Sequence, residues 1–287
     1  MHSGEHRMDV GTARTLITEQ FPHLAHLPLV IAEGSGTVNT IIRIGADFAA
    51  RFPLLAGAEL EAEARASAEL AQASPVPTPL PVALGRPGHG YPFAWSVQTW
   101  LPGTVATPEA LAESRVFAED IAVLITSLRA ADTGGRRFAG SGRGGALTDH
   151  DGWMETCFRE SEGLLDVPRL RRLWGRLREL PRGGDDVMSH GDLTPANILI
   201  DGDRLAGVLD GGGFGPADPA LDLVAAWHLL GEGARDALRT SVGSDDLEWE
   251  RGRAWAFEQA MGLVWYYRET NPAMSALGRS TLARIDS

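Results

Sequence analysis

Apolar residues recur at helical spacing near the start of the chain, where Val10, Leu16, Ile17 and Phe21 share one side of "DVGTARTLITEQF". The period then shortens. Two β-rich runs, "LPLVIAE" and "NTIIRIG", flank "GSGTV" and predict a hairpin, and a third run, "DFAARFP", stops at Pro53. The segment "AGAELEAEARASAELAQ" is built of strong helix formers and predicts a helix that ends before "SPVPTPLP". Another strand, in "YPFAWSVQTWLPG", ends at Pro102 and Gly103. From residue 107 the pattern becomes helical. Thr107 is placed to cap one helix with Pro108 at its first position, and Phe117, Ile121, Leu124, Ile125 and Leu128 share its face. A Gly-rich loop follows, then helices around 153–165 and 168–180. Next come two short apolar runs, "NILI" and "LAGVLD", joined by "DGDR", and a mostly helical remainder. The plan is a β-rich amino-terminal lobe (1–100), a connector near 99–104 and a helical carboxyl-terminal lobe (101–287). The cleft between two such lobes is the default location for a site.

Composition narrows the partners. The chain has 287 residues, of which 44% are apolar and 22% charged, enough for a sizeable core and against wholesale disorder. A net charge of −12 disfavours nucleic acid and anionic membranes and suits a cationic small molecule. The excess is uneven: residues 1–100 carry 9 acids and 6 Arg, so the rest of the chain holds −9 of the −12. Cys157 is the single cysteine, which excludes an internal disulfide and a Cys-based metal site. With no apolar run of 18 residues and no charged-then-apolar leader, the expected location is the cytoplasm. Monomer and homodimer are both compatible with the composition. All 26 cationic side chains are Arg, so every cationic role falls to a guanidinium that does not deprotonate near neutrality.

The chemistry concentrates in "SHGDLTPANILIDGDRLAGVLDGGG". Phosphoryl transfer requires a base near the attacking hydroxyl, magnesium on the phosphates, and accurate positioning. Asp192 and Asn197 fall on a short loop before a strand, and Asp210 lies 13 residues beyond Asn197, after a hairpin. Asp192 is the candidate base. Asn197 offers a neutral oxygen to Mg2+ and Asp210 an anionic one. The Asp-to-Asn spacing alone is weak. Joined to His190, Gly191, Pro195, the hairpin and Asp210, it points to catalysis rather than to an Asx turn on the surface.

Taken with "DPALDL", these residues resemble the aminoglycoside phosphotransferase family, whose fold is similar to that of protein kinases. The similarity extends over nearly the whole chain through "EQFPHLAHLPL", "YPFAWSVQTWLPG" and "YYRETNP". The resemblance implies an α+β, bilobal, protein-kinase-like fold. It also implies a nucleotide-dependent kinase that moves the γ-phosphate of ATP or GTP to an antibiotic hydroxyl, most readily an aminoglycoside's. It assigns catalysis to Asp192, Asn197 and Asp210, with Asn197 and Asp210 binding magnesium. His190 then buttresses the loop, and Asp218 and Asp222 brace it through backbone hydrogen bonds. The phosphate-facing hairpin maps onto Ser35, Gly36 and Thr37, and the purine onto the Thr99 carbonyl and the Leu101 amide, with Gln98 behind the base.

The resemblance also raises two questions. Kinases pair a strand Lys with a helix Glu, and here Arg51 and Glu63 stand in that relation, Glu63 being preferred over Glu59 and Glu61. Relatives usually carry an aromatic and then Gly-Asp after the magnesium Asp, where this chain has "DGGGFG", and Val38 stands where Asp is common. The expected consequence is a looser metal loop, a different substrate, or weakened activity. Candidates for holding substrate ammonium groups are Asp245, Asp246, Glu248, Glu258 and Glu269. Trp249, Trp255, Trp265 and Tyr266 would instead line a macrolide pocket. Macrolide, cationic peptide antibiotic and metabolite kinases stand as alternatives, as does a non-catalytic nucleotide-binding pseudokinase.

Overall fold

Residues 5–32, 38–140 and 142–286 are described by a computed structural model of the protein. Ser35, Gly36 and Thr37 lie outside the described residues. The chain divides into two compact units. One comprises Met1–Gln72, Pro77–Pro102 and Asp210–Gly212; the other comprises Ala73–Val76, Gly103–Leu209 and Gly213–Ser287.

The first unit opens with helix α1 (Val10–Gln20), which starts where the Asp9 carboxylate accepts the Gly11 and Thr12 amides and buries Ala13, Leu16 and Ile17. Strands β1 (Leu29–Ile31), β2 (Asn39–Ile44) and β3 (Phe48–Pro53) form an antiparallel meander with Ile41 opposite Arg51. Helix α2 (Leu60–Ala73) follows, then β4 (Pro81–Gly85) and β5 (Trp95–Thr99). The sheet order is β1-β2-β3-β5-β4, so Arg51 sits on the central strand. The core packs Leu16, Ile17 and Ile42 around Phe52, which stacks on Trp95 at 4.7 Å. Strand β4 tolerates its one proline, Pro81, because that residue is the first of an edge strand.

The second unit begins with β6 (Thr104–Val105), α3 (Pro108–Leu111) and α4 (Arg115–Arg129). One helix was expected from Thr107 onward; the structure has two. The Ser114 hydroxyl accepts the Phe117 amide and starts a new helix, whereas the Thr107 side chain makes no capping bond. The expected face is nonetheless the buried one: Phe117, Ile121, Leu124, Ile125 and Leu128 are fully inside. Helices α5 (Asp151–Glu160) and α6 (Val167–Leu177) are shorter than the sequence suggested. Strands β7 (Val187–Ser189), β8 (Ile198–Asp201), β9 (Arg204–Val208) and β10 (Gly215–Ala217) form two small sheets, β6-β8-β9 and β10-β7. The chain closes with α7 (Val224–Leu229), α8 (Glu232–Val242), α9 (Asp246–Tyr266) and α10 (Pro272–Asp286). Helix α9 is buried almost continuously from Arg251 to Val264. Among the described residues, no helix is long and apolar enough to cross a membrane.

Candidate active site

The loop between β7 and β8 is gripped from below by one carboxylate. Buried Asp222 accepts the His190 amide on Oδ2 and the Gly191 amide on Oδ1, both at 2.9 Å. Two successive amides converge on one acceptor because Gly191 adopts φ +81°, a left-handed conformation natural to glycine. The His190 ring is bound at both nitrogens. Nε2 donates to the Leu209 carbonyl at 2.8 Å, because a carbonyl only accepts, and Nδ1 therefore receives the Asp192 amide at 3.3 Å. The Leu209 amide in turn donates to the Asn197 carbonyl at 2.8 Å. His190 thus buttresses the loop, and its ring is occupied at both ends.

Asp192 is held by three side chains. Oδ2 accepts from Asn197 Nδ2 at 2.8 Å, while Oδ1 accepts from Gln259 Nε2 at 2.5 Å and from Arg143 Nη2 at 3.0 Å. The carboxylate is nevertheless 42% exposed, so it is oriented without being sealed. Asn197 also donates Nδ2 to the Asp192 carbonyl at 2.9 Å, which fixes the amide orientation and leaves Oδ1 as its ligand-type atom.

In the first unit, Asp210 has φ +58°, unusual for a residue with a side chain, and its carboxylate is 46% exposed. Its Oδ1 pairs with Arg51 Nη2 at 2.7 Å. This corrects the pairing expected from sequence: the partner the structure gives Arg51 is Asp210 rather than Glu63. Glu63 still lines, with Arg51, Ser67, Ser96 and Gln98, a cavity of about 20 Å³, roughly the room of one water. At the end of β5 the Thr99 amide is spent on the Leu80 carbonyl and the Trp100 amide on the Asp47 carbonyl. Among the described residues, no hydrogen bond engages the Leu101 N–H.

Asp218 departs from its expected role. It anchors α9 instead of bracing the loop: its Oδ2 takes the Arg251 guanidinium and the Trp255 indole N–H (2.9 Å), all three residues being buried. The acidic residues proposed to hold ammonium groups are largely committed elsewhere. Asp245 caps α9, Asp246 pairs with Arg239, Glu248 with Arg129, and buried Glu258 with His150 at 2.9 Å; Glu269 is exposed. The hydrogen bond to Glu258 raises the His150 pKa against the opposing effect of burial. The aromatic set is mostly packing: Trp249 against Trp227 at 4.7 Å, and Trp265 against Trp153 at 5.9 Å.

Sequence reasoning missed Arg143 and Gln259. Arg143 hides in the Gly-rich loop with no spacing to mark it. Gln259 had a signal: Arg251, Trp255, Glu258 and Gln259 recur at i, i+4, i+7 and i+8, a polar stripe inside a helix otherwise buried in apolar surroundings.

Among the described residues, no group of three or more His, Cys, Asp or Glu side chains converges on a metal position. The donors named from sequence are an amide oxygen of Asn197 and a carboxylate of Asp210. Both are hard oxygen donors of the kind magnesium takes together with phosphate oxygens and water, so they fit that ion.

Comparison with known proteins agrees with this picture. The model of a phosphotransferase enzyme family matches residues 32–255. A 64-residue stretch, 22% of this chain, is 36% identical to aminoglycoside 3'-phosphotransferase of Escherichia coli, and that stretch spans only 24% of the relative. The GDP complex of an aminoglycoside 2'-phosphotransferase-IIIa superposes with a TM-score of 0.70 over 97% of this chain and 99% of that one, at 17% identity. A macrolide 2'-phosphotransferase from Brachybacterium faecium gives 0.61 over 96% and 97%, at 19% identity. At such identities the structural likeness establishes the α+β kinase-like fold.

Proposed function

Because the chain belongs to the phosphotransferase enzyme family, we propose that it transfers the γ-phosphate of ATP or GTP to a hydroxyl of a small-molecule antibiotic, an aminoglycoside first. The observation that carries this reading is the state of the Asp192 carboxylate. Each carboxylate oxygen has two lone pairs. Oδ1 accepts two donors, Arg143 and Gln259, whereas Oδ2 accepts Asn197 alone. Oδ2 therefore retains a lone pair on a partly exposed, firmly oriented group, which is what a hydroxyl proton acceptor requires. Asn197 and Asp210 would hold Mg2+, which when bound neutralises charge on the phosphates. Arg51, bound to Asp210 on one side and lining a cavity with Glu63 on the other, is proposed to meet the nucleotide phosphates. Ser35, Gly36 and Thr37 are proposed to cover those phosphates, and the Thr99 carbonyl and Leu101 amide to meet the base. The names of the relatives, kinases of aminoglycosides and of a macrolide, support an antibiotic acceptor.

The test is a panel of aminoglycosides including kanamycin and gentamicin, with macrolide, cationic peptide and metabolite arms, incubated with labelled ATP or GTP and read as a phosphate mass shift. Asp192→Asn is expected to keep nucleotide affinity and lower transfer by several orders of magnitude. Absence of any phosphorylated product across the panel refutes the antibiotic reading. Nucleotide binding without transfer marks a non-catalytic protein.

A further inference from the structure

The residues that orient Asp192 do not end at Gln259. Gln259 Oε1 faces His228 Nε2 at 2.8 Å, and His228 Nδ1 faces Thr281 Oγ1 at 2.9 Å. His228 and Thr281 are completely buried and Gln259 nearly so. The line begins on α10, crosses α7, passes through α9 and ends on the carboxylate of the catalytic loop. We propose that Thr281, His228 and Gln259 are positioning residues for the transfer reaction, a directed hydrogen-bond line that fixes the Asp192 carboxylate with Oδ2 toward the acceptor hydroxyl. The proposal rests on Asp192 being the base.

Direction follows from chemistry at each joint. An ionised carboxylate only accepts, so Gln259 must present its amide nitrogen to Asp192 and its oxygen to His228. That oxygen only accepts, so His228 must carry its proton on Nε2. Its bare Nδ1 then accepts from the Thr281 hydroxyl, which is free to rotate. With the ring neutral, every joint has one donor and one acceptor, and no other assignment satisfies all three. Burial favours the neutral ring, pushing the His228 pKa down to about 4, so the line stays in one protonation state around neutral pH. A buried polar line through three helices is costly unless every member is satisfied. If Gln259 turned over, it would set its oxygen against the Asp192 carboxylate and its nitrogen against the imidazole N–H. The amide is therefore locked, and with it the Asp192 rotamer. Arg143 also binds Oδ1, but from a loop and at a longer distance, so it supplies charge with less rigid placement.

Two measurements on the full chain decide the matter. The first is side-chain nitrogen NMR of His228 in the parent protein at pH 7. The expected result is a neutral ring protonated at Nε2 and bare at Nδ1; a ring protonated at Nδ1 alone, or at both nitrogens, overturns the proposal. The second is a kinetic series. Thr281→Val keeps the shape and removes the hydroxyl, Thr281→Ser keeps the hydroxyl, and Gln259→Met keeps the length and removes the amide. Thr281→Val should lower turnover roughly threefold to tenfold, the worth of one buried hydrogen bond, with nucleotide KM unchanged. Thr281→Ser should return turnover close to the parent's. Gln259→Met should lower turnover further, about tenfold to a hundredfold, like other residues that orient a reacting group from behind. A packing role predicts the reverse order for Thr281, since Val fills the site and Ser leaves a gap; that order, or parental turnover in both Thr281→Val and Gln259→Met, refutes the line. Release of γ-phosphate to water from ATP or GTP serves as the readout beside transfer to kanamycin. If the parent shows neither, the phosphotransferase reading fails, while the His228 tautomer still reports on the line itself.

Discussion

A β-carbon built on Gly211 would lie 2.4 Å from Leu70 Cδ2, 3.4 Å from Leu70 Cβ and 3.5 Å from Leu70 Cγ. Carbon atoms pack best at about 3.5–4.0 Å, so the closest contact is too short by roughly 1 Å. Leu70 is fully buried on α2, so its side chain has little room to turn away. The missing side chain after Asp210, unusual beside the family pattern, is thus compensated: Leu70 fills that space. The backbone of Gly211 is not among the left-handed glycines, so alanine is allowed there conformationally, which by itself favours folding by about 0.4–1 kcal/mol. Overpacking costs about 1–3 kcal/mol and should win. Gly211→Ala is therefore expected to destabilise by up to about 2.6 kcal/mol, the upper end of the difference of those ranges. Leu70→Ala alone should cost about 2–5 kcal/mol. The double variant Leu70→Ala with Gly211→Ala should be more stable than the sum of its parts by at least about 1 kcal/mol, since the two side chains compete for one volume. Urea denaturation of all four proteins measures this from midpoints at constant slope. Additive effects, or a Gly211→Ala protein at least as stable as the parent, would sink the argument that Leu70 replaces the absent side chain.

Asp222→Ala leaves the buried His190 amide unsatisfied, at about 1–3 kcal/mol, and leaves the Gly191 amide only the Ser189 hydroxyl at 3.1 Å, so it should lower both the urea midpoint and turnover; a variant with parental turnover would show that the loop needs no brace. Arg51 separates stability from function: its ion pair with half-exposed Asp210 should contribute no more than about 1 kcal/mol to folding, while Arg51→Ala should lose one to two decades in kcat/KM for nucleotide, with Arg51→Lys between. Equal kinetics for Arg51→Ala and the parent would remove Arg51 from the phosphates. His228 and His150 impose opposite pH dependences. The folded pKa of His228 falls from 6.5 to about 4, so its contribution is intact above pH 6.5 and lost as pH falls toward 4, roughly 3 kcal/mol in all. His150 is raised, so its contribution is present below pH 6.5 and fades as pH climbs through its folded pKa. Tm between pH 7 and 5 should fall more gently in His228→Gln than in the parent, and more steeply in His150→Gln; parallel curves would refute the assignment.

What the sequence disclosed of this site depended on distance along the chain. Asp192 and Asn197 are five residues apart, and their joining bond closes within one turn of loop, so their spacing, joined to the neighbouring His190, Gly191 and Pro195, could mark them as a pair. Helices α1 and α2 and strands β2, β3 and β5 were legible for a related reason, since period and punctuation are local properties. The break between α3 and α4 was also written locally, in Ser114, but a continuous apolar face masked it. Gln259 stands 67 residues from Asp192 and Arg143 stands 49, and no local pattern encodes a partner that far away. The rule that does reach them is thermodynamic. Polar side chains enter a buried helix only when something answers each of them. The stripe Arg251, Trp255, Glu258 and Gln259 on α9 therefore called for partners before any were known. The structure supplies them in order along the helix: Asp218 for the first two, His150 for the third, and Asp192 with His228 for the last. The stripe that holds α9 against its own unit at one end thus becomes, one turn further on, the device that aims the carboxylate proposed as the base. Stability and catalysis here share a single helical face, so substitutions along it should grade from loss of folding at Arg251 to loss of turnover at Gln259.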